Sequence, residues 1–156
     1  MPPRDDEHIG RRRPASGVLI LLRQPTIVFL TVVTKGRVPC LANDEVHRAM
    51  CAAWKAADAW MVGGYVLMPD YLHLFAAPVK LEFTFDSWVR YWKSLVTRAL
   101  HKPEWRWQTG HWDTRLRREE NYRDKWEYVR HNPVRAGLVA EADAWPWQGE
   151  MNELPW

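Results

Sequence analysis

Residues 66–75 read VLMPDYLHLF, and this stretch decides how the chain folds. Both of its halves are apolar and suit β-strands, and the Pro69-Asp70 dipeptide between them favours a turn. The stretch therefore predicts a β-hairpin. In the second strand Tyr71 and His73 are two residues apart, so their side chains point to the same face of the sheet.

Apolar periodicity on either side of the hairpin predicts the remaining elements. The predicted elements are strands at 26–33, 61–68 and 71–77, helices at 43–60, 87–100 and 118–131, a short strand at 104–108 and a short helix from Pro133. This order, β-α-β-β-α-β followed by helices, is the split βαβ or ferredoxin-like arrangement. It predicts an α+β fold whose antiparallel sheet carries both long helices on one face. The other face is then free for a ligand or for the C-terminal, tyrosine-bearing helix.

The length of 156 residues predicts a single folded domain, which we place at 26–148. Residues 1–25 are polar and proline-broken and are expected to form a flexible basic arm. Its arginines can contact a phosphate backbone, although a solvated tail explains them equally well. Residues 149–156 form a tail, and the Trp- and Pro-rich chain from 142 onward is expected to pack as an irregular strap.

Charge and cysteine content limit the partners and the compartment. A net charge of +3 and a pI of about 9.0 favour an anionic partner. The two cysteines, Cys40 and Cys51, form no CxxC pattern, which argues against a disulfide framework or a cysteine zinc site and favours a reducing, cytoplasmic compartment. The apolar run at 18–22 is too short to cross a membrane, and no signal peptide is visible.

The residues by themselves leave two questions open. His73 lies between apolar neighbours, so it is either a metal ligand or a structural histidine. Asn132-Pro133 breaks one helix and starts the next, which gives Asn132 the role of an N-cap. Tyr128 lies one turn before this break and shares a helical face with His131 and Asn132. These three side chains can form a site, or Tyr128 is a boundary residue without chemistry.

Three stretches together resemble a known family. GYVLMPDYLHLF, WQTGHWDTRLRREENY and EYVRHNPVRAGLV, in this order and at these distances, resemble the REP-associated tyrosine transposases, a group of HUH single-strand DNA transposases. The resemblance covers roughly residues 26 to 148. It implies a ferredoxin-like fold and a protein that nicks and joins single-stranded DNA at short palindromic hairpins, with a monomeric or dimeric state left open.

The resemblance also implies roles for particular residues. In the family, a His-hydrophobic-His pair on the second hairpin strand binds Mg²⁺ or Mn²⁺, and a tyrosine before the Asn-Pro break attacks DNA to leave a 5′-phosphotyrosine and a free 3′-hydroxyl. Carried over, Tyr128 is the nucleophile, His73 is a metal ligand and Asn132 completes the metal site. At the position of the first histidine this chain has Tyr71, which is expected to weaken binding of the metal ion. Tyr71 then acts as a phenolate ligand, positions a water or is an inert filler.

Three functions are compatible with this departure. They are an active tyrosine transposase, a domesticated or decayed member that binds hairpin DNA with weak or no cleavage, and a small α+β domain in which these residues are only structural. The candidate phosphate contacts are Arg90, Lys93, Arg98, Arg115, Arg117 and Arg118. The candidate base-stacking tryptophans, each with core packing as its alternative, are Trp105, Trp107 and Trp112.

Overall fold

The predicted hairpin forms part of the centre of a five-stranded antiparallel sheet in the computed structural model, which describes residues 26–117 and 121–154. The strands are β1 (Val28–Val33), β2 (Trp60–Leu67), β3 (Tyr71–Pro78), β4 (Trp112–Arg115) and β5 (Gln148–Glu150). The α-helices are α1 (Asp44–Ala56), α2 (Phe85–Leu100), α3 (Tyr122–Val129) and α4 (Asn132–Arg135). The strand order β4-β1-β3-β2-β5 contains the split βαβ connectivity, so the predicted α+β, ferredoxin-like fold is confirmed.

Helices α1 and α2 cover one face of the sheet. Each begins at a side-chain cap: the Asn43 side chain accepts a hydrogen bond from the backbone N–H of Val46, and Thr84 accepts one from Ser87. Their apolar sides pack against the strands in one cluster of buried residues, in which Trp92 is fully buried. We call this side of the sheet the helical face.

Helix α3 and the C-terminal segment cover the opposite face, as the prediction allowed. The rings of Tyr122 and Trp126 contact Phe75 of β3, with centroids 5.1 Å and 6.3 Å away. The backbone N–H of Gly64 in β2 donates a hydrogen bond of 2.8 Å to the Tyr122 hydroxyl. The chain after α4 returns over this face, and β5 pairs with β2. We call this side the α3 face.

The fourth strand differs from the prediction, which placed it at 104–108. Strand β4 is Trp112–Arg115 and pairs with β1. The alternation at 104–108 has another cause, because Trp105 is buried in the helical-face core and Trp107 makes only an isolated bridge to Thr34. The C-terminal segment is also more regular than expected, since it contributes β5.

Helix boundaries are shorter than the apolar pattern predicted in two places. Helix α1 ends at Ala56 because the chain turns there to enter β2. Helix α3 spans Tyr122–Val129 rather than 118–131, and its N-cap Asn121 accepts a hydrogen bond from Asp124 N–H at 3.2 Å.

Two expectations lie outside the described residues, namely the basic arm at 1–25 and the contact by Arg118. The domain limits at 26 and 148 therefore stay a prediction. In the parts of the chain that the structure describes, no helix is both long and apolar enough to span a membrane.

Candidate functional site

A row of side chains from three neighbouring strands lies on the α3 face. The register pairs His73 of β3 with Thr31 of β1, and Thr31 with Trp112 of β4. Directly paired residues of antiparallel strands point to the same face. Tyr71 lies on this face as well, two residues before His73. Trp112 is 59% exposed, so the row runs from a half-buried histidine to an open sheet edge.

His73 is held in a mostly apolar environment. Its Nδ1 lies 2.9 Å from the Thr31 hydroxyl, and its ring packs against Phe29 with centroids 4.8 Å apart. Burial lowers the pKa of His73 to about 4, although a hydrogen bond with the Leu30 backbone opposes this shift. The imidazole is therefore neutral at neutral pH. A neutral imidazole oriented through its other nitrogen is a competent metal ligand.

Tyr71 has a different character from the histidine that the family motif expects. Burial raises the pKa of Tyr71, and Asp70 raises it further, while Arg37 and Arg135 act in the opposite direction. Its phenol therefore stays protonated at neutral pH, which makes it a poor metal ligand. Asp70 itself accepts a hydrogen bond of 2.7 Å from Arg37 Nε.

Helix α3 presents Tyr128 to solvent. Trp126 and Val129 are buried on the side of the helix that meets the sheet, whereas Tyr128 is 65% exposed. The helix ends at Val129, and Pro133 follows in the first turn of α4. The predicted cap at Asn132 is wrong, because the N-cap position falls on His131 and no side-chain cap bond forms.

Arg135 links Tyr128 to the rest of the site. Its guanidinium carbon lies 3.8 Å from the centroid of the Tyr128 ring, and its Nη2 donates a 2.8 Å hydrogen bond to the Tyr128 carbonyl. The same nitrogen donates to Asn132 Oδ1. Its positive charge also opposes the rise in the pKa of Tyr71 that burial and Asp70 cause. Sequence reasoning missed Arg135, although it lies inside the NPVRAGLV stretch that marked the family resemblance.

The basic residues predicted to contact DNA lie mainly on the other side of the sheet. Arg90, Lys93 and Arg98 belong to α2, on the helical face. Lys93 Nζ donates to the carbonyl oxygen of Gly110 at 3.1 Å, and burial lowers its pKa. Arg98 bonds to Ser94 within its own helix. The structure therefore does not bring these three residues together with Tyr128.

The remaining candidates divide in the same way. Arg115 is paired with Val28 of the helical-face core, so it points to that side, and Arg117 is exposed just after β4. Among the tryptophans, Trp105 is buried and Trp107 is half-buried against the core. Trp112 is the tryptophan of these three whose ring is open to a ligand.

A second cluster has the donors to hold a metal ion, and sequence reasoning missed it. His111 Nε2 lies 3.0 Å from a carboxylate oxygen of Asp86 and 3.0 Å from one of Asp113. Burial lowers the pKa of His111, but hydrogen bonds to the two carboxylates outweigh this and raise it overall. Asp113 is paired with Leu30, so the cluster lies on the helical face, away from Tyr128. The His-x-Asp spacing at 111–113 was its signal.

The fold and the exposed tyrosine define a class of protein, the ferredoxin-like α+β proteins that carry a tyrosine helix across the sheet. No family model matches the chain. A REP-associated tyrosine transposase of Haemophilus influenzae is 21% identical over 136 residues, which cover 78% of this chain and 77% of that protein. One of Escherichia coli K12 is 27% identical over 86 residues, which cover 55% of this chain and 52% of that protein.

A solved structure shares the fold of this chain. It is described as a REP-associated tyrosine transposase bound to a REP hairpin, and it superposes with a TM-score of 0.65 at 24% identity, covering 80% of this chain and 75% of that one. The resemblance to the REP-associated tyrosine transposases that the sequence motifs predict is therefore confirmed.

Proposed function

We propose that this protein binds short palindromic DNA hairpins and nicks and joins their single-stranded flanks through Tyr128. The observation that carries the proposal is the exposed phenol of Tyr128, which lies on the surface beside Arg135 while Tyr122, Trp126 and Val129 anchor the same helix in the core. The names of the relatives and the hairpin in the related structure support the choice of substrate. We propose the bacterial cytoplasm as the compartment, as the family resemblance implies.

The proposed reaction exchanges one phosphoester bond for another. The Tyr128 phenol loses its proton to solvent, and its oxygen attacks the phosphorus of the scissile phosphate. The bond to the 3′ oxygen breaks, and this oxygen leaves with the electron pair and takes up a proton. The products are a 5′-phosphotyrosine and a free 3′-hydroxyl. Because the phosphotyrosine retains the ester bond, a second 3′-hydroxyl can reverse the step without ATP.

The donor set of Tyr71, His73 and Asn132 fits a divalent ion poorly. His73 offers a neutral imidazole, but Tyr71 is a protonated phenol and Asn132 Oδ1 accepts a hydrogen bond from Arg135. Mg²⁺ or Mn²⁺ at this position is therefore proposed to bind weakly, with His73 as its main ligand. No step above depends on the ion.

The second candidate is a member that binds hairpin DNA and cleaves it weakly or not at all. Tyr71 favours this candidate, because it stands where the resemblance expects a histidine ligand and its phenol is held in the protonated form. In both candidates the DNA reaches the α3 face across the β4 edge, where Trp112 can stack on an unpaired base. The arginines of α2 then contact more distant phosphates.

Covalent trapping on a single-stranded hairpin substrate with Mn²⁺ distinguishes the two candidates. Wild type, Tyr128→Phe and Tyr71→His are compared for a DNA adduct that survives denaturing electrophoresis. An adduct in wild type that is absent in Tyr128→Phe supports cleavage through Tyr128. An adduct that appears only in Tyr71→His identifies a decayed site. Hairpin binding whose affinity does not fall with added salt would contradict phosphate contacts in either candidate.

A further inference from the structure

Arg135 is in direct contact with the proposed nucleophile, Tyr128. Its guanidinium stacks on the Tyr128 ring at 3.8 Å and its charge reaches Tyr71. Both groups belong to separate elements, since Tyr128 is on α3 and Tyr71 is on β3. Arg135 is therefore a cation fixed against the attacking phenol, and its charge also acts on the position where the family motif expects a metal ligand.

The charge of Arg135 is also available to a ligand. Other arginines near this end of the molecule are neutralised by carboxylates, in the pairs Arg37 with Asp70, Arg123 with Glu150, and Arg130 with Glu127 and Asp143. Within residues 26–117 and 121–154, no carboxylate pairs with Arg135, and its hydrogen bonds to these residues all come from Nη2. Its Nε and Nη1 donate no hydrogen bond to any of the described residues, and the side chain is exposed.

We propose that Arg135 holds the Tyr128 ring in position and binds the scissile phosphate, and so supplies the positive charge that a metal ion cannot supply well beside Tyr71. This inference rests on the proposed function, because it assumes that DNA reaches Tyr128. It makes Arg135 a phosphate-binding residue of the reaction as well as a positioning residue for the nucleophile.

The chemistry of the guanidinium suits this role. Its Nε and Nη1 can donate hydrogen bonds to phosphate oxygens while Nη2 stays bound to the protein, and the guanidinium keeps its positive charge throughout. Negative charge that develops on the phosphate oxygens during attack is stabilised best by donors that are already in place. The two bonds from Nη2 to Tyr128 and Asn132, together with the stacked ring, limit the rotamers of Arg135 before DNA arrives.

A purely structural role is the competing interpretation. The bond from Arg135 to the Tyr128 carbonyl satisfies one of the last carbonyls of α3, as a C-terminal cap does. A cap contributes to folding and has no effect on how affinity depends on salt. The two interpretations therefore differ in a measurement that does not require cleavage.

The test uses Arg135→Gln, Arg135→Lys and the control Arg130→Gln. Arg130 is a suitable control because it caps the C-terminal end of α3, two residues after Tyr128, and its charge is already paired with Glu127 and Asp143. Hairpin affinity is measured in EDTA by fluorescence anisotropy from low to moderate salt, and the rate of adduct formation is measured at saturating DNA. The fraction of folded protein is checked for each variant by circular dichroism.

The expected result separates charge from geometry. Arg135→Gln lowers the slope of log affinity against log salt by about 0.7 to 0.9, the value for one phosphate contact. It slows adduct formation by about 100-fold or more, as loss of a charge-stabilising donor does. Arg135→Lys keeps the slope but still slows adduct formation, because the stacked guanidinium plane and its fixed donors are lost. Arg130→Gln changes neither quantity.

Two results would overturn the inference. The first is an Arg135→Gln variant with an unchanged salt slope and an unchanged rate per folded molecule, even if its stability falls, since that is the behaviour of a cap. The second is an equal loss in Arg130→Gln, which would indicate only general surface charge. If wild type forms no adduct, the proposed cleavage fails, and the salt slope of Arg135→Gln still decides whether Arg135 binds a phosphate.

Discussion

Replacing Gly64 by alanine tests how the sheet positions the nucleophile. A Cβ at this position would lie 2.6 Å from Cε2 and 2.7 Å from Cε3 of Trp126, and closer still to Cδ2, whereas ordinary contacts begin at 3.4 Å. The ring must therefore retreat by about 1 Å. Trp126 is buried and is two residues from Tyr128 on the short helix α3, so a shift of the ring moves the phenol.

The size of the effect follows from this geometry. Overpacking a close-fitting core costs about 1 to 3 kcal/mol of the free energy of unfolding. Displacing a reacting group by about 1 Å lowers a rate by about 100-fold. We expect Gly64→Ala to lower the free energy of unfolding by about 1 to 3 kcal/mol, measured by urea denaturation. We also expect it to slow formation of the Tyr128-linked adduct by about 100-fold. The stability measurement stands even if adduct formation is too slow to follow.

The double variant Gly64→Ala with Trp126→Leu is the control for this contact. Trp126→Leu alone leaves a cavity that destabilises the fold, and the alanine methyl group then fills part of it. The double variant should be more stable than the sum of the two single losses predicts, by about 1 kcal/mol or more. Strict additivity, or a Gly64→Ala variant with wild-type stability, would refute the reasoning.

The remaining predictions concern side chains at the sheet edge and two histidines with opposite shifts. Trp112→Ala should weaken hairpin binding by about 1 to 3 kcal/mol in anisotropy titrations, with little change in stability. Trp105→Ala should instead lower the free energy of unfolding by about 3 to 5 kcal/mol. Equal effects of the two substitutions on binding would contradict the stacking role of Trp112. The pKa of His73 is about 4, below the ordinary 6.5, so at falling pH the unfolded chain binds a proton at this histidine before the folded protein does. The free energy of unfolding should therefore fall by at most about 3 kcal/mol as the pH drops from 6.5 to 4. Urea unfolding at pH 7 and 4.5 checks this, and a His73→Leu variant with the same acid sensitivity would disprove it. The pKa of His111 is raised, so its contribution is complete below pH 6.5 and is lost as pH rises through the raised value; an NMR titration should show the shift, and Asp113→Asn should reduce it.

Local pattern was sufficient for the hairpin and for the long helices. Apolar strands separated by Pro69-Asp70, and helices capped at Asn43 and Thr84, are determined by interactions between residues close in sequence. The fourth strand was placed wrongly because tryptophans at alternate positions look the same in a strand and in a segment that feeds two of them into the core. Trp105 takes the second course, and only its tertiary contacts show this.

Only those residues of the candidate site that belong to the family motifs could be predicted from the sequence. Tyr128 and His73 followed from the family resemblance, whereas Arg135 and the cluster around His111 did not. Both missed features depend on distant parts of the chain. Arg135 acts on Tyr71, 64 positions earlier in the sequence, and His111 meets Asp86 only because β4 returns beside the start of α2.

The sequence by itself determined the order of elements, the hairpin, the helix break at Asn132-Pro133 and the substitution at Tyr71. Tertiary structure alone decided which charges share a face. The arginines of α2 were predicted to contact DNA phosphates, yet the sheet separates them from the tyrosine, and the cation that contacts Tyr128 is Arg135. The physical reason is that helical and strand periodicities are local, whereas the partner of a charge depends on how the layers stack.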